Sequence, residues 1–320
     1  MRIPANATWV RFPRFVGDAA MQLSVLRLLR LHGIGPLVVW GPAATVSLVE
    51  DHELADAVVP ETAKPGPWSL ARTLREHRAA RSIHFPKSLR PALAAFMAGV
   101  PERLGVSESG AGLFNTHTAP FWKAPGTFLE RYHGVLRLRW PDLPPMPYPD
   151  YDPGVQVALP DVPYICLMPG SVWDSKRWPA GHFRELARIA KGKGIRTVVL
   201  GASSEAEACR EVAGAEGLDL SGRTTLKEAA AWLRGALAAV GNDSGLCHLA
   251  GACGTPVVAI YGPTLAAVSV VWGPRARTIQ AAGPACVPCY ERTCRMAGHP
   301  CLAGVEPEQV WEALQGLVPA

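Results

Sequence analysis

Between Arg139 and Pro163 the chain reads WPDLPPMPYPDYDPGVQVALPDVP, a stretch with eight prolines. Proline lacks the N–H that helix interiors and central strands need, so this stretch can be neither and is expected to be an extended, fairly stiff linker. It splits a chain of 320 residues into two parts near the common domain size of roughly 150 residues. The expected organisation is a domain over 1–150, a linker over 151–163, a second domain over 164–305 and a closing helix over 306–320.

Both parts alternate short apolar runs with amphipathic ones. In the first, strands are expected at Thr8–Phe12, Pro36–Gly41 and Arg81–Phe85, with helices over Asp18–Leu31 and Ser88–Gly99. In the second, strands are expected at Tyr164–Met168, Thr197–Gly201, Leu237–Val240 and Val257–Tyr261. Helices are expected over Gly181–Lys193, from Ser203, from Ser244 and over Pro307–Leu317. Repeated βαβ patterning predicts parallel sheets, hence two Rossmann-like α/β domains with ligands at the carboxyl ends of their strands.

Hydrophobic residues at 48% and charged ones at 18% exclude a disordered chain. The opening residues lack the basic and apolar regions of a signal peptide, which points to the cytoplasm. Residues 244–274 carry no Asp, Glu, Lys or Arg and are long enough to cross a bilayer. However, Gly254-Thr255-Pro256 breaks the run, so it is expected to be a buried helix followed by a strand. The net charge of +5 is N-terminal: residues 1–150 carry 17 Lys and Arg against 12 Asp and Glu, and residues 151–320 carry 15 against 15. A basic first half suits an anionic acceptor or an anionic membrane surface, or is simply a solvated face.

Three segments carry chemistry. After the strand Tyr164–Met168 comes PGSVWDSKRWP (169–179), which combines Gly170 for close backbone approach, the hydroxyls of Ser171 and Ser175, and Lys176 to neutralise a phosphate. The bland alternative is a surface loop with Trp178 packed on the next helix. The second segment, Gly241-Asn242-Asp243-Ser244-Gly245 with His248, is a strand end turning directly into a helix. Such a turn aims free N–H groups of Ser244 and Gly245 at a pyrophosphate, while Asp243 can accept from sugar hydroxyls. Alternatively Asp243 or Ser244 is only a cap and His248 a core residue. The third is Asp18, just after the first strand, either a helix cap or a general base facing an interdomain cleft.

These segments, together with FPKSLR (85–90), AGVPERLG (98–105), SGRTTL (221–226) and YGPT (261–264), resemble the ADP-heptose:lipopolysaccharide heptosyltransferases of glycosyltransferase family 9, most closely the heptosyltransferase II branch. The resemblance runs nearly end to end. It implies a GT-B fold of two facing Rossmann-like domains with an interdomain cleft. It also implies transfer of heptose from ADP-heptose to the inner core of lipopolysaccharide with inversion, at the inner face of the inner membrane. By position, Asp18 becomes the base, Lys176 the support of the diphosphate, Asp243 with the following amides the holder of heptose and pyrophosphate, and Glu205 a candidate for the ribose hydroxyls. No cofactor is required for that chemistry.

Four of the eight cysteines, Cys286, Cys289, Cys294 and Cys301, fall in one Gly/Pro-rich loop, 283–302. In a reducing compartment this spacing suggests a structural zinc or iron site, with unligated thiols or a redox pair as alternatives. Cys166, Cys209, Cys247 and Cys253 fall within regular elements and are expected in the core. Gly33-Ile34-Gly35 precedes a strand instead of following one, which argues against a dinucleotide oxidoreductase. A same-fold transferase with another nucleotide-sugar or a protein acceptor is the main rival. A zinc ribbon binding nucleic acid is disfavoured because only Arg292, Arg295 and Tyr290 accompany the cysteines.

Overall fold

The computed structural model describes residues 3–61, 65–85 and 87–318; Pro86, in the motif at 85–90, lies outside them. The chain divides into two compact units, Met1–Pro147 and Tyr148–Ala320. The first is built on six strands: β1 (Thr8–Arg11), β2 (Leu37–Pro42), β3 (Ala57–Glu61), β4 (Arg81–His84), β5 (Glu102–Val106) and β6 (His117–Ala119). The second is built on β7 (Tyr164–Met168), β8 (Arg196–Val199), β9 (Leu218–Asp219), β10 (Ala238–Asn242), β11 (Val257–Tyr261) and β12 (Ala276–Gln280).

Every pairing is parallel. The order is β3-β2-β1-β4-β5-β6 in the first sheet and β12-β11-β10-β7-β8-β9 in the second. Counted within each unit, both sheets follow the doubly wound order in which the first strand lies beside the fourth. At that junction the chain leaves neighbouring strands in opposite directions, and the crevice outside their carboxyl ends is where such sheets take ligands. The junction is β1/β4 in the first unit and β7/β10 in the second.

Local sequence explains why the central strands form. β7 (YICLM), β10 (AAVGN) and β11 (VVAIY) are buried along their whole length, as strands covered by helices on both faces must be. Helix Ala180–Lys191 starts directly after Pro179 and buries Phe183, Leu186 and Ala190, one stripe at helical spacing, against Ile165, Leu167 and Val199 of the sheet. The uncharged run 244–274 divides as expected into helix Gly245–Ala252 and β11, turned at Gly254, whose φ of +75° favours glycine. Among the described residues no helix is long and apolar enough to cross a membrane.

Two features go beyond the patterning. The edge strands β3, β6, β9 and β12 were not expected, nor was β5. Edge strands tolerate proline and polar residues because one side needs no ladder, as Pro60 in β3 and the sequence ARTIQ of β12 show. The proline-rich stretch, for its part, carries no helix or strand over 151–163, but it does not run free. Tyr151 is fully buried, its N–H donates to the Ala252 carbonyl at 2.8 Å, and burial pushes its phenol pKa up. Arg234 reaches Asp150 at 3.2 Å and the carbonyls of Tyr151 and Cys253 at 3.3 and 3.2 Å. The start of the stretch therefore belongs to the second unit. Replacing Tyr151 by Ala should cost about 3 kcal/mol in urea unfolding, as for other buried aromatics; a loss below ~1 kcal/mol would show that the stretch merely lies on the surface.

Candidate functional site

The second unit's candidate site sits at the junction of β7 and β10. The loop that leaves β7 and the turn that leaves β10 are tied together by Asn242, the last residue of β10 and fully buried. Its side-chain amide donates to the Pro169 carbonyl at 2.7 Å and accepts from the Trp178 N–H at 2.9 Å, so one side chain clamps both ends of the loop. Trp178 is itself buried, with its indole N–H on the Val305 carbonyl at 2.9 Å. The packed Trp178 of the bland alternative is thus the anchor from which the rest of the loop is displayed.

Within this frame Lys176 Nζ lies 2.6 Å from Asp243 Oδ2, and the Thr264 hydroxyl donates to the same oxygen at 2.7 Å. His248 Nε2 is 3.6 Å from Oδ1, while its Nδ1 is buried with no hydrogen-bond partner. Burial alone would push the Asp243 carboxyl up, but His248 and Lys176 outweigh it and hold its pKa at about 2. The Lys176 ammonium also stands over the Trp173 ring, 4.8 Å from its centroid. Asp243 is ionised at neutral pH and is the hub of the cluster.

The turn itself follows the sequence argument. Ser244 is the cap residue of helix Gly245–Ala252, yet its side chain makes no capping bond. Asp243 points instead to Lys176 and Thr264. The first-turn N–H groups therefore have no side-chain partner, and with Ser244 and Gly245 only half-buried they can receive an anion.

Two expectations about the loop change. The sequence offers Gly170 as a point of close ligand approach, but a Cβ there would stand 2.1 Å from the carboxyl carbon of Glu205. The group that the glycine admits is Glu205, which also accepts from the Ala202 N–H at 2.9 Å and so is delivered to the carboxyl end of β7. The sequence also offers Ser175 as a phosphate donor. Instead it is buried, its hydroxyl donates to the Glu291 carbonyl and its N–H to the Arg292 carbonyl at 3.1 Å. Ser171 is buried as well, and its carbonyl accepts from Arg177 Nε at 3.1 Å.

In the first unit Asp18 occupies the first turn of helix Val16–Leu31, beside the β1/β4 junction, and is half-buried. The cap position is Phe15, so N-capping is not the task of Asp18. Its charge acts on the buried hydroxyl of Tyr132, whose phenol is pushed well above its ordinary range, by burial first and by Asp18 second. Arg11 meets Glu61 at 3.0 Å with both side chains buried, and Arg90 approaches the same carboxylate at 3.7 Å, so two arginines share one buried carboxylate.

The core cysteines Cys166, Cys209, Cys247 and Cys253 are buried as expected. In the loop 283–302, Cys301 is buried, Cys289 and Cys294 are half-buried and Cys286 is exposed. The Cys301 thiol is pushed up by burial first, with the charges of Cys294 and Cys286 adding to it. The expected four-thiolate cluster is not assembled: among the described residues no three His, Cys, Asp or Glu side chains are gathered as metal ligands.

Asn242, Thr264, Trp173 and Tyr132 had no role assigned from sequence. Only Asn242 carried a signal, a polar residue ending an otherwise apolar strand. Two outcomes follow from this geometry. Asp243→Asn should cost about 3 kcal/mol at pH 7, because it strands a largely buried ammonium. A carboxyl held low stabilises the fold above its unfolded pKa near 4 and loses that contribution as pH falls toward 2. The gap between parent and variant in urea unfolding should therefore narrow from pH 5 to pH 3, and a constant gap would show that Asp243 charge is not what holds the cluster. Gly170→Ala should displace Glu205 and weaken nucleotide binding, read by calorimetry with ADP.

Comparison with known proteins places this arrangement. Residues 67–299 match Glycosyltransferase family 9 (heptosyltransferase). Lipopolysaccharide heptosyltransferase 2 of Escherichia coli K12 is 30% identical over 287 residues, spanning 79% of this chain and 81% of that protein. Lipopolysaccharide heptosyltransferase 2 of Salmonella typhimurium is 28% identical and spans 96% of this chain and 97% of its own length. The solved structure of the E. coli ADP-heptose lps heptosyltransferase II superposes with a TM-score of 0.80 at 26% identity, covering 97% of this chain and 98% of that one. The two Rossmann-like units make this a GT-B chain, and it belongs to glycosyltransferase family 9, the heptosyltransferases.

Proposed function

We propose that the chain transfers heptose from ADP-heptose to the inner core of lipopolysaccharide with inversion at the anomeric carbon. The observation that carries this reading is the Lys176–Asp243 pair at the β7/β10 junction, beside a helix N-terminus with no side-chain cap. A diphosphate supplies the anion that the helix amides lack and gives Lys176 a second partner, while Asp243 receives hydroxyls of the sugar. Glu205, delivered over Gly170, takes the ribose hydroxyls. Relatives named for the same transfer support the donor assignment.

In the reaction an acceptor hydroxyl oxygen attacks the anomeric carbon, the bond to the diphosphate oxygen breaks, and ADP leaves. Asp18 takes the hydroxyl proton, and Lys176 with the helix amides neutralises the charge that develops on the leaving diphosphate. The chain's own carboxylate, ammonium and amides suffice for these tasks. The basic first half suits a phosphorylated glycolipid at the inner face of the membrane, reached by a cytoplasmic protein docking peripherally.

A structural zinc or iron held by Cys286, Cys289, Cys294 and Cys301 is a separate proposal. The sulfur-only donor set and its Cys-x2-Cys-x4-Cys-x6-Cys spacing support it, and such a metal would pull the loop closed without entering the transfer. Elemental analysis should find about one equivalent per chain; clearly less would rule the site out.

Calorimetry with ADP-heptose, ADP-glucose, UDP-glucose and GDP-mannose tests the donor. ADP-heptose should bind most tightly, and binding of a UDP-sugar in its place would move the chain to the rival transferase reading. Asp18→Asn should lower kcat by at least about 100-fold with donor affinity kept; full activity would remove Asp18 as base.

A further inference from the structure

We infer that the Cys-rich segment 284–301 is a brace that sets the conformation of the loop carrying Lys176, and so determines donor affinity without touching the donor. This rests on the donor reading given above. The loop 171–177 has little to hold it by itself. Its internal support is one 3₁₀ turn at Asp174–Lys176, with the Lys176 N–H on the Trp173 carbonyl at 3.1 Å and the Arg177 N–H on the Asp174 carbonyl at 3.0 Å, together with Arg177 Nε on the Ser171 carbonyl at 3.1 Å. One turn of that kind is not stable alone. Asn242 fixes its two ends to the sheet, at Pro169 and Trp178. The middle of the loop is held from elsewhere.

That support comes from the segment between Cys289 and Cys301. The Ser175 N–H donates to the Arg292 carbonyl at 3.1 Å and the Ser175 hydroxyl to the Glu291 carbonyl. His299 Nε2 lies 3.1 Å from Asp174 Oδ2. The Arg292 guanidinium stands 5.7 Å from the centroid of the Trp173 ring, the same ring over which Lys176 sits. Three consecutive loop residues before Lys176 are thus each engaged by the segment. The segment also reaches the other side of the cluster: the Tyr290 N–H donates to the Pro263 carbonyl at 2.9 Å, next to the Thr264 that bonds Asp243. It therefore spans from the support of Lys176 to the support of Asp243, and a change within it is transmitted to both partners of the central ion pair.

Sequence spacing assigns the segment to its thiols, whereas these contacts assign it to the loop. Glu291 and Arg292 act through backbone carbonyls, which explains how a segment with almost no regular structure can act as a brace: its chain path is the functional element.

The test uses the full chain and the paired substitution Arg292→Ala with His299→Asn, both outside the loop. Calorimetry with ADP should show affinity reduced about 10-fold, as expected for losing one partly exposed polar contact and one ring contact. Cleavage by trypsin after Lys176 and Arg177 should be several-fold faster than in the parent, while the melting temperature stays within a few degrees. In kinetics, donor KM should rise and kcat should fall with it, because Lys176 also answers the charge on the leaving diphosphate, while the unchanged melting temperature separates this from general destabilisation. Asp174→Asn, which alters the loop side of the same contact, should move cleavage and affinity in the same direction and serves if the pair fails to fold. Unchanged affinity together with unchanged cleavage would overturn the brace. Should the parent itself not bind ADP, the donor reading fails, and the cleavage rate, which needs no donor, still decides whether the segment holds the loop.

Discussion

A buried carboxylate survives in a protein interior only if something answers its charge, and around Asp243 three elements of the second unit are arranged to do so. Lys176 answers it from the loop after β7, Thr264 from the turn after β11, and His248 from the helix that Asp243 precedes. Each lies on a different element, so the pairing cannot form until the sheet, the loop and the helix are in place. Once formed, it holds an ammonium beside a helix N-terminus with no side-chain cap, the arrangement on which the proposed diphosphate site rests.

The same demand explains the supporting residues. Asn242 is fully buried, and an amide at a strand end must find partners for both its donor and its acceptor. It finds them in the two ends of the loop, and this fixes where Lys176 starts and stops. Gly170 is required because Glu205 occupies the space where a Cβ would stand. Ser175, which on composition looks like a ligand group, spends its hydroxyl on Glu291. Ser175 and Asn242 thus position the loop, while Lys176 and Asp243 are the groups to which the proposed donor contacts are assigned.

The contrast between the units is one of charge state. In the second, the central ion pair lies at the ligand edge and carries the proposed donor chemistry. In the first, Arg11 and Glu61 form a buried pair, and Asp18 stands apart from it beside Tyr132. Family membership, shown by the match over residues 67–299, joins these two patterns in one enzyme class.

Much of this was legible before any coordinates. The buried strands β7, β10 and β11 declare themselves as apolar runs, because a strand covered on both faces has no polar side to show. The turn at Asp243 and the loop around Lys176 declare themselves by small and charged residues directly after such strands. The edge strands β3, β6, β9 and β12 were not legible, since an edge is covered less and its sequence is correspondingly mixed. Nor was the work of Asn242, Ser175 and Gly170, because a hydrogen-bond partner 64 or 116 residues away, or a side chain packed against a missing Cβ, leaves no local trace. Sequence by itself determined the two α/β units, the chemistry available at each strand end and the family; only the tertiary structure decided which of those groups meet, because the reversal of strand order at β7/β10 is a property of the sheet and of no single segment.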